Sequence, residues 1–240
     1  MRLGIFSDVH ANAKAFREVV NDAKRMGCER LICLGDVVGY GPEASEALAL
    51  VREVCDVVVM GNHDSGVAET VSWPFNEYAA RGVARHRREL DARDIAWLAG
   101  LPHEHHEYGC AFVHGSLPHP DRFEYIVSGR DAEATLDAVG DRFVFVGHVH
   151  ATMAFVQDVR TRRLGVAMPG RDFTLPPGMR AVVNVGSVGY PRQESASTYC
   201  VFDVEKGNVI YRRLPFDLSD YAERLKRRGV LLPEWLLTRK

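Results

Sequence analysis

Side chains that can donate oxygen or nitrogen to a metal ion follow five short apolar runs of this 240-residue sequence. The runs are LGIF, LICL, VVVM, CAFV and FVFV. The candidate donors after them are Asp8, His10, Asp36, Asn62, His114, His148 and His150. A sulfur-free mixture of carboxylate, amide and imidazole suits first-row divalent ions such as Mn²⁺, Fe²⁺ or Zn²⁺. Seven donors are too many for one tetrahedral ion. They can serve two ions that share a carboxylate, which is the clamp used for in-line displacement at phosphorus.

Each donor taken singly has a simpler structural interpretation. Asp8 and Asn12 could cap the helix that follows them, and the segment 62–64 could form a turn. His114 could be an ordinary hydrogen-bonded histidine. These interpretations do not account for the recurrence of donors after five successive apolar runs. The joint pattern therefore favours a metal site.

Short strands and helices alternate in the first third of the chain. Apolar runs predict strands at 2–6, 30–34 and 56–60, and apolar residues spaced three and four apart predict a helix over 13–26. A second helix should begin at Pro42 and extend to about Val54. This repetition is typical of a largely parallel sheet with helices on its faces. Since ligands bind beyond the carboxyl ends of such strands, the polar residues should converge at one edge. Glycines that precede three of the donors should let the backbone turn sharply there.

The chain changes character after Pro102. The region 73–101 has a helical pattern, in which His86 is expected on a charged face, whereas six short β-like runs follow with one helix-like segment, 131–139, among them. These runs predict a second, more antiparallel sheet. Residues 160–180 are rich in glycine and proline and contain five arginines, which predicts a loop that could form the rim of a site. We expect a single domain over 1–240, with a C-terminal helix and tail from about 217.

The overall composition argues against several classes of protein. The chain is 46% hydrophobic and 26% charged with a formal net charge of −2, so nothing global points to a stable nucleic acid complex or a membrane surface. The five cysteines form no C-x-x-C motif, so a thiolate zinc site is not expected. No apolar run approaches the roughly 20 residues of a membrane span, and the N-terminal run is too short for a signal peptide. These features predict a cytoplasmic protein.

The motifs D-x-H, G-D, G-N-H-D, H-G and G-H-x-H, in this order, resemble those of the calcineurin-like metallophosphoesterases over residues 3–203. The resemblance implies an α/β fold, a four-layer α/β/β/α sandwich of two mixed β-sheets flanked by helices. It also implies two divalent ions, with Mn²⁺ the first candidate and Fe, Zn, Ni or Co as alternatives. One ion would be held by Asp8, His10, Asp36 and His150, and the other by Asp36, Asn62, His114 and His148.

The motif G-N-H-D carries the catalytic expectations of the same resemblance. Asn62 and His63 would contact the substrate phosphate, and a hydroxide that bridges the two ions would attack phosphorus in line. His63 would protonate the leaving oxygen without being a metal ligand. Asp64 would accept the other ring N–H of His63, which fixes the tautomer and raises the basicity of the imidazole.

Two further segments bear on the substrate. Serine/threonine phosphatases of this superfamily read G-D-x-x-D-R-G where this chain reads GDVVGYG, so Gly39 and Tyr40 replace a supporting carboxylate and a phosphate-binding arginine. The segment NVGSVGYPRQ resembles instead small prokaryotic phosphoesterases, some of which hydrolyse diadenosine polyphosphates. Its turn could project Arg192 toward a bound phosphate. A hairpin turn with a solvated arginine is the alternative.

Together these features predict a phosphoesterase that binds a phosphate-containing small molecule. A nucleotide-type phosphodiester or phosphoanhydride is favoured, with a dinucleoside polyphosphate as the sharpest candidate. Hydrolysis of phosphomonoesters or of serine/threonine phosphoproteins is the alternative. A non-catalytic scaffold with the same fold is a rival from another class, and the complete set of donors argues against it.

Overall fold

Two six-stranded mixed sheets lie face to face in the computed structural model, which describes residues 1–166, 170–192 and 196–230. The first sheet has the strand order β3 (Val57–Val58), β2 (Arg30–Cys33), β1 (Arg2–Phe6), β11 (Ala196–Asp203), β12 (Asn208–Pro215) and β9 (Phe173–Thr174). The second has the order β4 (Glu104–Glu107), β5 (Cys110–Val113), β6 (Phe143–Val146), β10 (Met179–Val185), β7 (Thr152–Asp158) and β8 (Leu164–Val166).

Seven α-helices accompany the two sheets within the described residues. They are α1 (Ala13–Arg25), α2 (Ala44–Val54), α3 (Asn62–Ala68), α4 (Glu77–Glu89), α5 (Ala92–Ala99), α6 (Gly129–Ala138) and α7 (Leu218–Arg227). The predicted α/β architecture of two mixed sheets flanked by helices is therefore confirmed. None of these helices has the length and apolar character needed to span a membrane.

Strand β6 illustrates how the layers are held together. Because successive side chains of a strand point to opposite faces, Phe143 and Phe145 belong to the apolar cluster between the sheets, whereas Val144 and Val146 belong to the cluster beneath α6. The Phe143 ring packs edge-on against Phe202 of β11, with ring centroids 4.7 Å apart. Aromatic contact across the interlayer core thus joins the second sheet to the first.

The strands that follow Pro102 are divided between the two sheets. Each sheet contains two parallel and three antiparallel pairs of neighbouring strands, so the expectation of a more antiparallel second sheet is wrong. The reason is that β11 pairs antiparallel with β1, with Cys200 opposite Ile5, and carries β12 into the first sheet. This pairing joins opposite ends of the chain, and no local pattern in the sequence specifies it.

Two other predicted boundaries differ from the structure. The third strand is shorter than 56–60 because the Met60 N–H donates to the Pro102 carbonyl at 2.7 Å and leaves the ladder. The segment 160–180 contains β8 and β9, which pair with β7 and β12 at the edges of the two sheets. It is therefore not wholly a loop, and its residues 167–169 lie outside the described part of the chain.

Two glycines let the end of β2 approach the beginning of α3. Gly35 has a φ of +92°, and a Cβ built on it would lie 2.4 Å from the backbone nitrogen of Gly61. A Cβ on Gly61 would in turn lie 2.2 Å from Oδ1 of Asp36. Both distances are far inside van der Waals contact, so this approach requires glycine on both sides. It brings Asp36 and Asn62 to the same edge of the fold.

We expect Gly35→Ala to lower the free energy of unfolding by about 2–5 kcal/mol, the sum of a strained φ and a steric clash. Gly109→Ala is the matched control, because Gly109 has a φ of +67° but no atom within 4 Å of the added Cβ. The free energy of unfolding of the control should fall only by the cost of the strained φ, about 1–2 kcal/mol. Urea unfolding of both variants in the presence of a chelator measures the difference, and equal losses would mean that the close approach relaxes without cost.

Candidate active site

The seven predicted donors lie together, and each is at most 3% exposed. Asp8 and His10 follow β1, Asp36 follows β2, His114 follows β5, His148 and His150 follow β6, and Asn62 begins α3. The strands involved are neighbours in the middle of their sheets. The predicted convergence of these side chains at one edge is therefore confirmed.

Three of the donor atoms form a first compact group. Oδ1 of Asp8 lies 3.4 Å from Nε2 of His10 and 2.9 Å from Nε2 of His150, and the two Nε2 atoms are 3.1 Å apart. Ligands placed about 2.1 Å from one ion are separated by roughly 3.0–3.4 Å for octahedral or tetrahedral geometry. The spacing of this group fits a common cation.

A second group is built around His114. Its Nε2 lies 3.2 Å from Oδ1 of Asn62, 3.1 Å from Nδ1 of His148 and 3.4 Å from Oδ2 of Asp36. The same Oδ2 of Asp36 is 3.6 Å from Nε2 of His10 in the first group. Asp36 therefore stands between the two groups, where one carboxylate oxygen can face both.

Several donors adopt a left-handed backbone conformation that L-residues otherwise avoid. The positive φ values are 57° at Asp8, 46° at His10, 53° at Asp36, 66° at His148 and 60° at His150. Each costs roughly 1–2 kcal/mol, and such strain concentrates at functional sites. His148 and His150 follow the end of β6, and each directs a ring nitrogen into the cluster, His148 toward His114 and His150 toward Asp8. These turns add to the one that the sequence predicted at the preceding glycine Gly35, whose φ is +92°.

Backbone carbonyls fix the tautomers of three histidines. Nδ1 of His10, His114 and His150 lies 3.1, 2.8 and 2.6 Å from the carbonyl oxygens of residues 38, 34 and 190. A carbonyl can only accept, so each Nδ1 carries the proton and each Nε2 faces the cluster. Ligating histidines in metal sites have this same arrangement. In their neutral forms His10 and His150 direct two lone pairs at each other, an arrangement that a cation between them would stabilise.

The electrostatics of the cluster favour a positive charge. Burial disfavours ionisation of Asp36, but the facing imidazoles, His114 above all, hold the pKa of Asp36 below its ordinary value. Burial likewise opposes protonation of His114, yet Asp36 and Asp8 raise the pKa of His114 to about 9. Burial lowers the pKa of His150 to about 4, so its ring is neutral at pH 7. A bound cation would displace the proton on His114 and take over its role. Donor types, spacing and charge all fit divalent metal.

His63 is buried beside this cluster, but its predicted partner is elsewhere. The backbone N–H of His63 donates to Oδ1 of Asp36 at 2.8 Å, and its Nε2 is 4.0 Å from Oδ2 of Asp36. Asp64 accepts from the backbone N–H groups of Val38 and Gly61, at 3.2 and 3.1 Å. The predicted contact of Asp64 with the His63 ring is therefore wrong. The Asp64 carboxylate lies in the first turn of α3, where free N–H groups attract it.

The other ring nitrogen of His63 faces backbone. Within the described residues, Nδ1 of His63 is buried without a hydrogen-bond partner, and a Cβ on Gly39 would lie 2.0 Å from it. A side chain at position 39 thus has no room beside His63 in its present orientation. One ligand atom of His63 lies within 4.8 Å of ligand atoms of Asp36 and His10, so His63 is also a candidate metal donor.

His86 is a residue whose role the sequence interpretation missed. It is fully buried rather than on a charged face. Its Nδ1 accepts the N–H of Gly39 at 2.9 Å, and its Nε2 lies 3.0 Å from the carbonyl of Gly41. The sequence does contain a pattern that indicates burial of His86. Its spacing from Ala79 and Val83 is that of the buried face of a helix. His86 thereby holds the loop that carries Tyr40.

A cavity of about 140 Å³ opens onto the cluster, and its walls contain aromatic residues that the sequence did not single out. Trp73, Phe75 and Tyr125 line it together with His63 and Arg192. The Tyr125 ring stacks on the donor His148, with ring centroids 4.0 Å apart. The described part of the segment 160–180 contributes no residue to this lining, so those residues do not form the expected rim.

Arg192 reaches the cavity, as predicted from the glycine-rich turn before it. Its Nη2 donates to the hydroxyl of Tyr40 at 3.3 Å. Tyr40 stacks on Tyr190 with ring centroids 4.1 Å apart, and its ring also lies against His10 and His63. The tyrosine that replaces the arginine of protein phosphatases thus helps to position another arginine at the site.

Comparison with known proteins identifies the family. The model of the calcineurin-like phosphoesterase superfamily domain matches residues 1–207. The chain belongs to this superfamily. The family is metal-dependent, and the chain is a hydrolase that acts on phosphoester bonds.

Three relatives illustrate the range of similarity. The uncharacterized protein MJ0912 of Methanocaldococcus jannaschii is 30% identical over 98% of this chain and 95% of its own. A symmetrical bis(5'-nucleosyl)-tetraphosphatase of Aromatoleum aromaticum is 36% identical over 57% of this chain and 55% of its own. The crystal structure of a metallophosphoesterase from Sphaerobacter thermophilus has a TM-score of 0.84 at 32% identity, covering 100% of this chain and 97% of that one.

We expect His86 to make the folded protein sensitive to acid. Burial lowers the pKa of His86 from 6.5 to about 3, so below pH 6.5 the unfolded chain binds a proton that the folded chain does not. Between pH 7 and pH 5 this histidine should therefore remove about 2 kcal/mol from the free energy of unfolding. In urea unfolding, the His86→Phe variant should not show this decrease of the free energy of unfolding between pH 7 and pH 5. The control is His119→Phe, at an exposed histidine, which should keep the decrease. An unchanged pH dependence in His86→Phe would contradict the assignment.

Proposed function

We propose that the chain binds two divalent cations and hydrolyses a nucleotide-type phosphodiester or phosphoanhydride. The observation that supports this most directly is the position of Asp36, whose Oδ2 lies 3.4 Å from His114 Nε2 and 3.6 Å from His10 Nε2. Asp8, His10, Asp36 and His150 would hold one ion, and Asp36, Asn62, His114 and His148 the other. Mn²⁺ is the first candidate among ions that accept mixed oxygen and nitrogen donors.

The proposed centre carries the charge that phosphate chemistry requires. Two divalent ions, when bound, activate water for attack and neutralise charge on the phosphate oxygens. The carboxylates of Asp8 and Asp36 offset only part of the cationic charge, so the centre attracts an anionic substrate. The remaining donors are neutral imidazoles and an amide, which leaves that positive charge in place.

The chain's own residues would position the phosphate and assist the leaving group. Asn62 and His63 line the cavity, which supports their assignment to contacts with the phosphate. We assign His63 the proton for the departing oxygen, because its Nε2 faces the cluster and lies 4.0 Å from Asp36 Oδ2. Burial lowers the pKa of His63, so the negative charge of a bound phosphate would have to favour protonation of the ring. Asp64 would act indirectly, since its carboxylate fixes the first turn of α3 that presents both side chains.

Two observations favour nucleotides over phosphoproteins. Arg192 adds a second positive group to the cavity, where it can bind phosphates that are not transferred. The similarity to symmetrical bis(5'-nucleosyl)-tetraphosphatases supports a dinucleoside polyphosphate as the substrate. Against protein phosphatase activity, Gly39 and Tyr40 replace the motif residues of those enzymes, and Gly39 lies directly against His63.

A hydrolysis panel tests the proposed substrate class. With Mn²⁺ present, diadenosine tetraphosphate should be turned over with a higher kcat/KM than an aryl monoester, an aryl diester or a phosphopeptide. Preference for the monoester or the phosphopeptide would contradict the proposal and support the alternative activity.

We expect Asp36→Asn to remove the charge that holds two cations together. The metal content measured by elemental analysis should fall from two ions per chain to one or none, and turnover should be lost. Asp91→Asn is the control, because Asp91 caps α5 through its side-chain oxygen and asparagine caps equally well. A variant at position 36 with two bound ions and near-normal activity would exclude a bridging role.

We expect His63→Gln to separate chemistry from metal binding. If His63 supplies a proton, its loss should matter more for an alkyl leaving group than for nitrophenolate, which departs readily as an anion. General acid catalysis is worth about 10²–10⁴-fold, with the upper end for poor leaving groups. The ratio of wild-type to variant kcat should therefore rise from nitrophenyl to alkyl diesters at constant metal content. Loss of one ion in the variant would instead identify His63 as a ligand.

A further inference from the structure

A second cavity, of about 190 Å³, lies beside the catalytic cavity, and the proposed hydrolysis step does not use it. Tyr40 lines both cavities, and its stacking partner Tyr190 lines the second. The remaining walls come mainly from α4, including Tyr78, and from α7 with the residues after it. The two cavities are therefore neighbours that share one aromatic side chain.

The second cavity contains a buried polar group without a partner. Tyr221 is fully buried and lines the cavity, and within the described residues its hydroxyl makes no hydrogen bond. A buried hydroxyl without a partner costs about 1–3 kcal/mol, so it marks a position where a ligand atom could bind. Tyr78 and Tyr190 also line the cavity, so an aromatic ligand there would lie beside their rings.

The helix α4 gives this cavity a basic side. Arg81, Arg85 and Arg88 all line it, spaced four and three residues apart on one face of the helix. Arg85 is directed inward, where its Nη2 donates to the carbonyl of Tyr40 at 3.2 Å, and its Nε lies 3.5 Å from Glu89. Arg81 is exposed and pairs with Glu77 at 2.6 Å, so the exposed Arg88 is the arginine best placed to bind an anion. An occupant with an aromatic ring and negative charge complements these walls.

The size and position of the cavity limit what this occupant can be. A cavity of about 150 Å³ is known to hold a benzene molecule, so 190 Å³ admits one ring-sized group and not a whole nucleotide. On the other side of Tyr40, Arg192 donates to the Tyr40 hydroxyl from within the catalytic cavity. Cationic side chains therefore lie on both sides of Tyr40. A chain of phosphates that extended from one cavity toward the other would need positive groups in both places.

We propose that this second cavity binds the nucleoside end of the substrate, with the base between the tyrosine rings and the adjoining phosphate at Arg88. This proposal rests on the proposed function, since it assigns a binding subsite for a dinucleoside polyphosphate. The same chemistry would also recognise a free nucleoside phosphate. The experiments below therefore distinguish the end of a substrate from a free nucleotide.

Tyr78→Ala tests the contact with the base without a change of charge. The KM for diadenosine tetraphosphate should rise roughly 5- to 150-fold, the range expected for loss of one stacked base. The kcat/KM for bis(4-nitrophenyl) phosphate, which has no nucleoside, should change by no more than about twofold. Tyr108→Ala is the matched control, because Tyr108 is 49% exposed and lines neither cavity.

Arg88→Glu tests the charge, with exposed Arg130→Glu on α6 as the matched control. The readout is calorimetric titration with ADP in the presence of EDTA, which removes any contribution of metal ions to binding. Wild type and the control should bind ADP alike, and Arg88→Glu should bind at least about tenfold more weakly. Both variants change the net charge of the protein by the same amount. A difference between them therefore reports the contact that Arg88 makes in the cavity and not the change of net charge.

The outcomes separate this proposal from the proposed function. If wild type hydrolyses diadenosine tetraphosphate and the cavity variants match their controls in both assays, the subsite is excluded and the function stands. If wild type does not hydrolyse the dinucleotide but binds ADP through Tyr78 and Arg88, the proposed substrate is wrong. The cavity would then hold the base of a free nucleotide, which overturns its assignment to the substrate. Larger effects in both cavity variants than in their controls, with aryl diester hydrolysis intact, support the subsite.

Discussion

The burial of two carboxylates at the centre of the fold is the constraint on which the rest of the structure depends. Asp8 and Asp36 are at most 1% exposed. A charge in such a place is costly unless it is paired or binds metal, and here the surrounding groups are imidazoles. Three strand ends, those of β1, β5 and β6, must therefore deliver imidazole nitrogens to within about 3–4 Å of the two carboxylates. The left-handed donors are local strains that this arrangement requires, and the close approach of Gly35 to Gly61 is possible because neither residue has a side chain.

The features that the sequence predicted are those that depend on local patterns. Alternating side chains on β6 and the polar residues after each apolar run follow from strand geometry and from where strands end. The division of strands between the two sheets depends instead on contacts between distant parts of the chain. The pairing of β1 with β11 depends on a match between Ile5 and Cys200 at opposite ends of the chain, so composition and periodicity could not reveal it.

The same distinction applies within the site. Seven donors could be predicted because each is anchored at the end of an apolar run. Asp64 was assigned a partner from its place in a motif, whereas the free N–H groups at the start of α3 determine its contacts. Trp73 and Tyr125 lie in irregular segments whose positions only the assembled sandwich defines. His86 was misread because the arginines around it obscured its place on the buried face of α4.

The distribution of the donors along the chain has a consequence for how the protein is made. The first group combines Asp8 and His10 with His150, and the carbonyl of Tyr190 orients His150. A ribosome that has synthesised the first hundred residues has therefore released neither complete set of donors, and an emerging chain offers only isolated side chains of low affinity. With the proposed donor sets, full affinity for a cation would arise only when both sheets have closed. Since a ligand that binds only the folded state stabilises it in proportion to the logarithm of its free concentration, ion uptake would be a late step of maturation that also opposes reopening of the sandwich.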